Sequence, residues 1–325
     1  MLRDRINYFK RIFKVYFTRD KGYLSFWHEH PEVSEGIKPY ELGPYYQTFW
    51  DKANYAGPKD GKGVILFDYY FDIGRQYNPL AVAQHGLGNY NLYLKTRDPK
   101  YLETAKIQAD WLLDNLEENG FGIPVWKHKF RWHYKKYLAP GWYSAHSQGT
   151  GISLLARIYK ETKDEKYKKC AEKAFISLNL PIKEGGVKYV DHKGDVWLEE
   201  YLITPLTHIL NGYIWALWGI WDYYLLTDSG EAKTLFNNCV KTLQANLHRY
   251  DIGFWSLYDL SEQALKMIAS PFYHRLHIIQ LRATYLITQE HAFDAFAKKF
   301  THYLRNPFYR ALSFVYKALF KLIYF

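Results

Sequence analysis

Glu199, Glu200 and Tyr201 stand side by side in WLEEYLITP, residues 197–205, directly ahead of the strongly apolar run LTHILNGYIWALWGIWDYYLL. Acids and phenols take up and release protons, and side chains held beside a core can do so on a bound ligand. The plain alternative is a helix N-terminus that favours negative charge. Comparable residues recur along the chain. QYNPLAVAQHGLGNYN, APGWYSAHSQGTGISLLARIY, and FWSLYDL followed by SPFYHRLHIIQL each set Tyr, His, Gln or Glu just before, or within, the first turns of an expected helix. A scaffold built only for packing has no need of them.

Four helix–turn–helix units position these stretches. NLYLKTRDPKYLETA ends one helix near Thr96 and starts another after Pro99. LARIYKETKDEKYKKCA does the same around Thr162, WDYYLLTDSGEAKTLF around Thr227, and TYLITQEHAFDAFAKKF around Thr288. The spacings are 66, 65 and 61 residues, a self-similarity that signals stacked structural units. Apolar residues such as Tyr101, Ala105, Ala109, Trp111 and Leu112 follow helical spacing. Pro140 and Gly141 mark the approach to the second unit, with Ser144 as its cap. The expected fold is mainly α, an (α/α) toroid of about four helical pairs: inner helices lie side by side, outer helices cover them, and the odd polar residues gather at one rim. A plain α-solenoid is the competing architecture. GVILFDYYFDIG, residues 63–74, reads as a strand, with YYQTFWDKANYAGPKDGKG as its irregular hairpin partner. GVKYVDHKGDVWLEE, residues 186–200, reads as a second β patch turning at Lys193 and Gly194. Such hairpins would wall a cleft. The chain thus divides into a basic amphipathic N-terminal segment (1–40), a small β-hairpin element (41–75), the helical toroid (76–305) and an amphipathic C-terminal helix (306–325).

Hydrophobic residues make up 48% of the chain, which places it among folded globular proteins. Its 31 Tyr and 11 Trp combine a flat apolar face with a polar tip, which suits a sugar groove, although aromatics also fill helical cores. The net charge of +10 draws anions: an acidic polysaccharide, lipid headgroups or nucleic acid. No zinc-finger, helix-turn-helix or RRM signature accompanies it, so nucleic acid is set aside. Cys170 and Cys239 fall in separate helical segments and read as core thiols, with no metal-ligand pattern. MLRDRINYFKRIFKVYF lacks the uninterrupted apolar stretch of a signal peptide. Its apolar residues recur at helical spacing among Arg and Lys, as they do in NPFYRALSFVYKALFKLIYF at the other end. Such termini either lie on an anionic membrane surface or pack on the domain or a partner subunit; a homodimer would cover the C-terminal aromatics. The compartment is open, with a lean to the cell interior. Asn211 and Asp222 interrupt the run from Ile209 to Leu226, which reads as a buried helix rather than a membrane span.

Five stretches, in order, carry a family resemblance: YNPLAVAQHGL, PGWYSAHSQGTGIS, WLEEYLITP with LNGYIWALWGIWD, YDL, and YHRLHIIQL. Together they span residues from about 75 to 285. The chain resembles the C-terminal catalytic domain of the D-glucuronyl C5-epimerases (heparosan-N-sulfate-glucuronate 5-epimerases), which convert glucuronate to iduronate within heparosan-type polysaccharides. The resemblance implies that Glu200, Tyr201, Tyr258 and Tyr273 line a reaction centre and that the substrate is an acidic polysaccharide; a redox-neutral proton abstraction and return needs no nicotinamide, no dinucleotide fingerprint is present, and no cofactor is expected. The animal enzymes follow YDL with Arg-His, thought to hold the substrate; this chain has Ser261 and Glu262 there, so a cation near the uronate is missing or supplied elsewhere.

Inverting C5 of a uronate means removing the proton α to a carboxylate and returning one to the opposite face. Charge then builds beside existing charge, so the site must neutralise the carboxylate with cations or proton donors. It also needs two proton carriers across the ring; tyrosine, with a free pKa of about 10, suits the task. Glu200 and Tyr273 are read as the principal pair, with Tyr201 and Tyr258 orienting the ring or sharing the protons. His274 and His277 would tune Tyr273 or bind the carboxylate. Arg75, Lys127, Arg131, His146 and Arg275 are candidates for anion binding, and Asn78, Gln84 and Gln148 for sugar hydroxyls. Each has a plainer reading. Tyr201 and Tyr258 would be core tyrosines, Glu199 a solvated or capping charge, and His277 a structural histidine. Lys127 and Arg131, in WKHKFRWHYKK, would sit on a solvated face, and Asp259 would cap a turn. The rival functions are a uronate lyase, which shares the first step, and a non-catalytic binder of acidic glycans or membranes.

Overall fold

The computed structural model describes residues 26–69 and 71–324; the amphipathic pattern at residues 2–17 lies outside them. Four antiparallel pairs account for most of the chain: α1 (Pro79–Thr96) with α2 (Pro99–Asp114), α3 (Ala145–Thr162) with α4 (Glu165–Asn179), α5 (Leu210–Thr227) with α6 (Gly230–Asn246), and α7 (Pro271–Thr288) with α8 (His291–Arg305). A further helix, α9 (Pro307–Tyr324), follows. The inner helices α1, α3, α5 and α7 pack in sequence, each against the next, and the even-numbered helices cover them. The architecture is a mainly helical (α/α) toroid.

One local device makes all four hairpins. The last residue of each inner helix is a threonine whose hydroxyl donates to the carbonyl four residues back, at 2.8 Å for Thr96, Thr162, Thr227 and Thr288. The same oxygen accepts the backbone N–H two residues on, at 3.2–3.3 Å. Between them stands one residue in the left-handed region: Arg97, Lys163, Asp228 or Gln289. Asp98, Asp164 or Ser229 then caps the next helix with its side chain. This repeated chemistry is what the spacing of about 65 residues registers. At the centre, a Cβ on Gly219 of α5 would lie 2.2 Å from the Cα of Gly149 in α3. Only glycine lets these two backbones touch.

An extended stretch, residues 39–49, threads the inner helices. Asn91 of α1 accepts the Tyr45 N–H at 2.7 Å and donates to the Gln47 carbonyl. Tyr45 and Tyr46 pack on Trp218 of α5. Arg157 of α3 and Asp222 of α5, both fully buried, pair at 2.6 Å. Arg157 also donates to the carbonyls of Gly43 and Pro44, while the Tyr46 hydroxyl donates to Asp222 at 2.6 Å. The run 209–226 is therefore a buried helix whose acid has a partner.

Short hairpins stand on the connections: β1 (Phe67–Tyr69) with β2 (Gly74–Gln76), β3 (Leu116–Glu118) with β4 (Pro124–Trp126), β5 (Trp132–Tyr134) with β6 (Lys136–Leu138), and β7 (Lys188–Val190) with β8 (Val196–Leu198). The last turns where the sequence predicts, with Gly194 at φ 83°. The expected irregular pairing is present at the start of the first: Lys59 bridges Ile65 antiparallel, and the Leu66 N–H donates to the Pro58 carbonyl at 2.9 Å. The strand then also pairs forward with 74–76, and the expected partner contains a helical turn at Trp50–Ala53. Cys170 and Cys239 are buried in α4 and α6. Among the described residues, no helix is long and apolar enough to cross a membrane.

Helix α9 buries Ser313, Lys317 and Phe320 and exposes Phe308, Leu312, Val315, Leu319, Leu322 and Ile323. The Lys317 ammonium donates to the Ile268 carbonyl at 2.7 Å. Burial, and then the like charge of Lys321, pushes its pKa down to about 7. Between pH 7 and 10 the unfolded chain therefore holds a proton that the folded one has lost, so stability rises with pH in that window. Lys317→Met should abolish a gain on the order of 3 kcal/mol between pH 7 and 10. Denaturant melts of both proteins at several pH values check this; parallel pH profiles would contradict it.

Candidate active site

A cavity of about 300 Å³ opens at the N-terminal ends of the inner helices. Glu200, Tyr201, Tyr258 and Tyr273 all line it, together with Asn78, Gln84 and His146. They come from separate connections, each fixed by local structure. Glu199 and Glu200 continue β8, where successive side chains point to opposite faces. The Glu199 carbonyl accepts the Ala145 N–H at 2.9 Å, which sets Glu200 beside His146 at the start of α3. Gly212 makes room: a Cβ there would lie 2.2 Å from the Glu200 carboxylate. Tyr258 is held by backbone bonds to Met267 and Leu210, and Tyr273 sits in the first turn of α7 behind its Ser270 cap.

The aromatic rings form a continuous wall. Tyr134, at the tip of the β5–β6 hairpin, stacks on Tyr201 at 4.5 Å, and Tyr258 meets Tyr273 edge-on at 4.9 Å. Asp259 anchors this wall: it accepts from the Tyr134 hydroxyl and pairs with Lys135 at 2.7 Å. It also accepts the Ser261 N–H and hydroxyl, so the turn-capping role is only part of its work. Burial, and then the charge of Glu200, pushes the Tyr201, Tyr258 and Tyr273 hydroxyls up, so all three are protonated at neutral pH. Burial lowers His146, with Glu200 opposing, and pushes His128 down to about 3.

Many polar atoms in this wall have no hydrogen-bond partner among the described residues. They include both amide atoms of Gln84, both ring nitrogens of His146, one carboxylate oxygen each of Glu29 and Glu200, Asn211 Oδ1 and Trp215 Nε1. Buried polar groups are normally paired, and leaving one unpaired costs about 1–3 kcal/mol. Clustered on one cavity, they describe a surface made for a polar, hydroxyl-rich ligand. Asn78 is different: its amide caps α1 and donates to the Tyr69 hydroxyl at 2.8 Å.

Several predicted residues lie elsewhere. WKHKFRWHYKK alternates: Trp126, His128 and Phe130 turn inward, while Lys129 and Arg131 are exposed and Lys127 is half-buried, so its cations take the outer face, as the plainer reading expects. Lys127 donates to the Glu118 carbonyl, Arg131 pairs with Asp72, and Arg75 pairs with Asp68 at 2.7 Å. None of the three lines the cavity. Gln148 is buried behind it, reaching the Trp126 carbonyl. His274 and His277 both turn to Ser256, and burial holds them neutral. Arg275 lies outside the lining and meets His30 at 3.3 Å. Glu199 is not solvated: it is fully buried and pairs with His208 at 2.5 Å. Conversely, the sequence reading misses Trp27, His28, Glu29, Gln47 and Lys52, which the chain ahead of the first hairpin brings to the cavity. Their local sequence looks like an ordinary polar loop, and only tertiary contact buries it.

A rim-side cavity in an (α/α) toroid, walled by aromatics and unpaired polar groups, is a ligand-type site. The family described as the D-glucuronyl C5-epimerase C-terminus matches residues 122–302, and the chain belongs to this family. It is 36% identical over 190 residues to the D-glucuronyl C5-epimerase of Caenorhabditis elegans, covering 54% of this chain and 30% of that one. It is 27% identical over 253 residues to an uncharacterized protein of Methanocaldococcus jannaschii, covering 73% and 80%. Among solved structures, a D-mannose isomerase superimposes with a TM-score of 0.48 at 11% identity over 78% of this chain and 67% of that one. A family 76 glycoside hydrolase from a bovine Bacteroides thetaiotaomicron strain gives 0.48 at 14% over 74% and 50%. The chain thus spans less than a third of the worm enzyme's length.

Proposed function

We propose that this chain is a uronate C5-epimerase, an isomerase that converts D-glucuronate to L-iduronate residues within an acidic polysaccharide of heparosan type. The observation that carries this reading is the convergence of Glu200, Tyr201, Tyr258 and Tyr273 on one cavity lined with unpaired polar atoms. Glu200, the acid among them, takes the C5 proton, and Tyr273, protonated at neutral pH, returns one to the other face. In the reverse direction the roles exchange. Tyr201 and Tyr258 hold the ring between the two carriers. Their rings flank the carriers, with Tyr258 edge-on to Tyr273 at 4.9 Å. Gln84, His146 and Asn211 take the sugar hydroxyls with the atoms that lack partners. The abstraction and return are redox-neutral, so no hydride carrier enters the balance.

Incubating the protein with a panel of glucuronate polymers tests the reading. The expected product is iduronate in an otherwise intact chain. An unsaturated, ultraviolet-absorbing sugar would instead mean expulsion of the C4 substituent, as in a lyase. Binding with unchanged composition across the panel would mean a glycan-binding protein.

A further inference from the structure

We propose that Lys52, from the N-terminal stretch outside the family match, is the cation that receives the substrate's carboxylate; this rests on the uronate reading above. A carbanion beside a carboxylate demands positive charge close by. Four of the cations that sequence reasoning nominates or the loops supply are already engaged: Arg75 by Asp68, Arg131 by Asp72, Lys127 by the Glu118 carbonyl and Glu117, and Lys135 by Asp259. Lys135 is the instructive case. It reaches Ser261, directly after YDL, yet Asp259 takes up its charge and it does not line the cavity.

Lys52 is the only lysine or arginine among the cavity's described lining residues. It is 3% exposed and forms no ion pair with a described residue. One ammonium proton goes to the Phe26 carbonyl at 2.9 Å. The rest of the head faces the rings of Phe26, Trp27 and Phe49 at 4.2–5.4 Å. Burial lowers its pKa to about 8, with Glu29 and then Asp51 opposing, and no described carboxylate closes on it as an ion pair. His146, which stands 3.7 Å from the Glu200 carboxylate, and His28, whose ring meets that of Tyr273 at 6.0 Å, line the same cavity as Lys52. A carboxylate held by Lys52 therefore lies in the cavity that both proton carriers line. Glu29, also in the wall, has its carboxyl pushed up to about 7 by burial. At neutral pH it is often protonated and then does not compete for the ammonium.

The test compares a glucuronate-containing tetrasaccharide with its carboxyl-reduced, glucose-containing counterpart, by calorimetric binding to wild type and Lys52→Met. Wild type should prefer the acidic ligand by about 30-fold or more, and the variant should lose that preference while binding the neutral ligand as wild type does. Retained affinity for the neutral ligand reports an intact cavity. A variant that keeps the preference, or a wild type that binds both ligands alike or neither, overturns the role of Lys52. If the preference follows Lys52 but no C5 exchange occurs with any uronate polymer, the epimerase reading fails and the carboxylate site stands.

Discussion

Tyr273→Phe should lower the rate of glucuronate inversion by about 10²–10⁴-fold, the contribution expected of a positioned acid or base, and leave affinity for the polysaccharide within a few-fold. The ring itself is kept: phenylalanine preserves the edge contacts with Tyr258 at 4.9 Å and Phe272 at 5.0 Å. The cap of α7 does not use the hydroxyl, since it runs through the Tyr273 backbone N–H to Ser270. Steady-state kinetics beside a binding isotherm separate the cases. Equal loss in both, or a rate within threefold of wild type, would remove Tyr273 from the proton path.

Arg157→Met should cost about 3–5 kcal/mol of stability and lower the melting temperature by roughly 5–10 °C. The substitution removes the only ionic partner of Asp222 among the described residues and leaves a carboxylate in a site with no exposure. It also frees the Gly43 and Pro44 carbonyls, which tie the extended stretch to α3. The double variant Arg157→Met with Asp222→Leu should recover much of the loss, because the unpaired charge is gone. A single variant within 1 kcal/mol of wild type, or a double variant no better than the single, would contradict the account. The consequence reaches the site, since the same stretch leads to Gln47 and Lys52 in the cavity wall.

The toroid was legible because its connections are local. Thr and a left-handed residue close each hairpin within a few positions, with a capping Asp or Ser in three of the four, so the copies show in the sequence. The family resemblance singled out Glu200, Tyr201, Tyr258 and Tyr273; only Tyr273 stands in the first turn of an inner helix, and the other three reach the cavity from the connections. The cations were not legible. Lys127 and Arg131 attract notice by density of charge, yet a strand of period two turns them away from the aromatics between them. Arg75 lies near the right helix but across from Asp68 in its own hairpin. Lys52 sits in WDKANY, where nothing local distinguishes it from a surface lysine; its burial comes from Phe26, Trp27 and Phe49. Glu199 and Glu200 look equivalent in sequence. Alternation about β8 sends one to His208 and the other to the cavity.

The central claim is that a proton leaves one face of the sugar and a different one arrives on the other. The direct measurement is the isotope content at C5 of both product and recovered substrate, by NMR, after a small fraction of a glucuronate polymer has reacted in D₂O. The account predicts deuterium in the iduronate formed and protium in the glucuronate left behind. Iduronate that retains protium at C5, or glucuronate that gains deuterium before any iduronate appears, would contradict it.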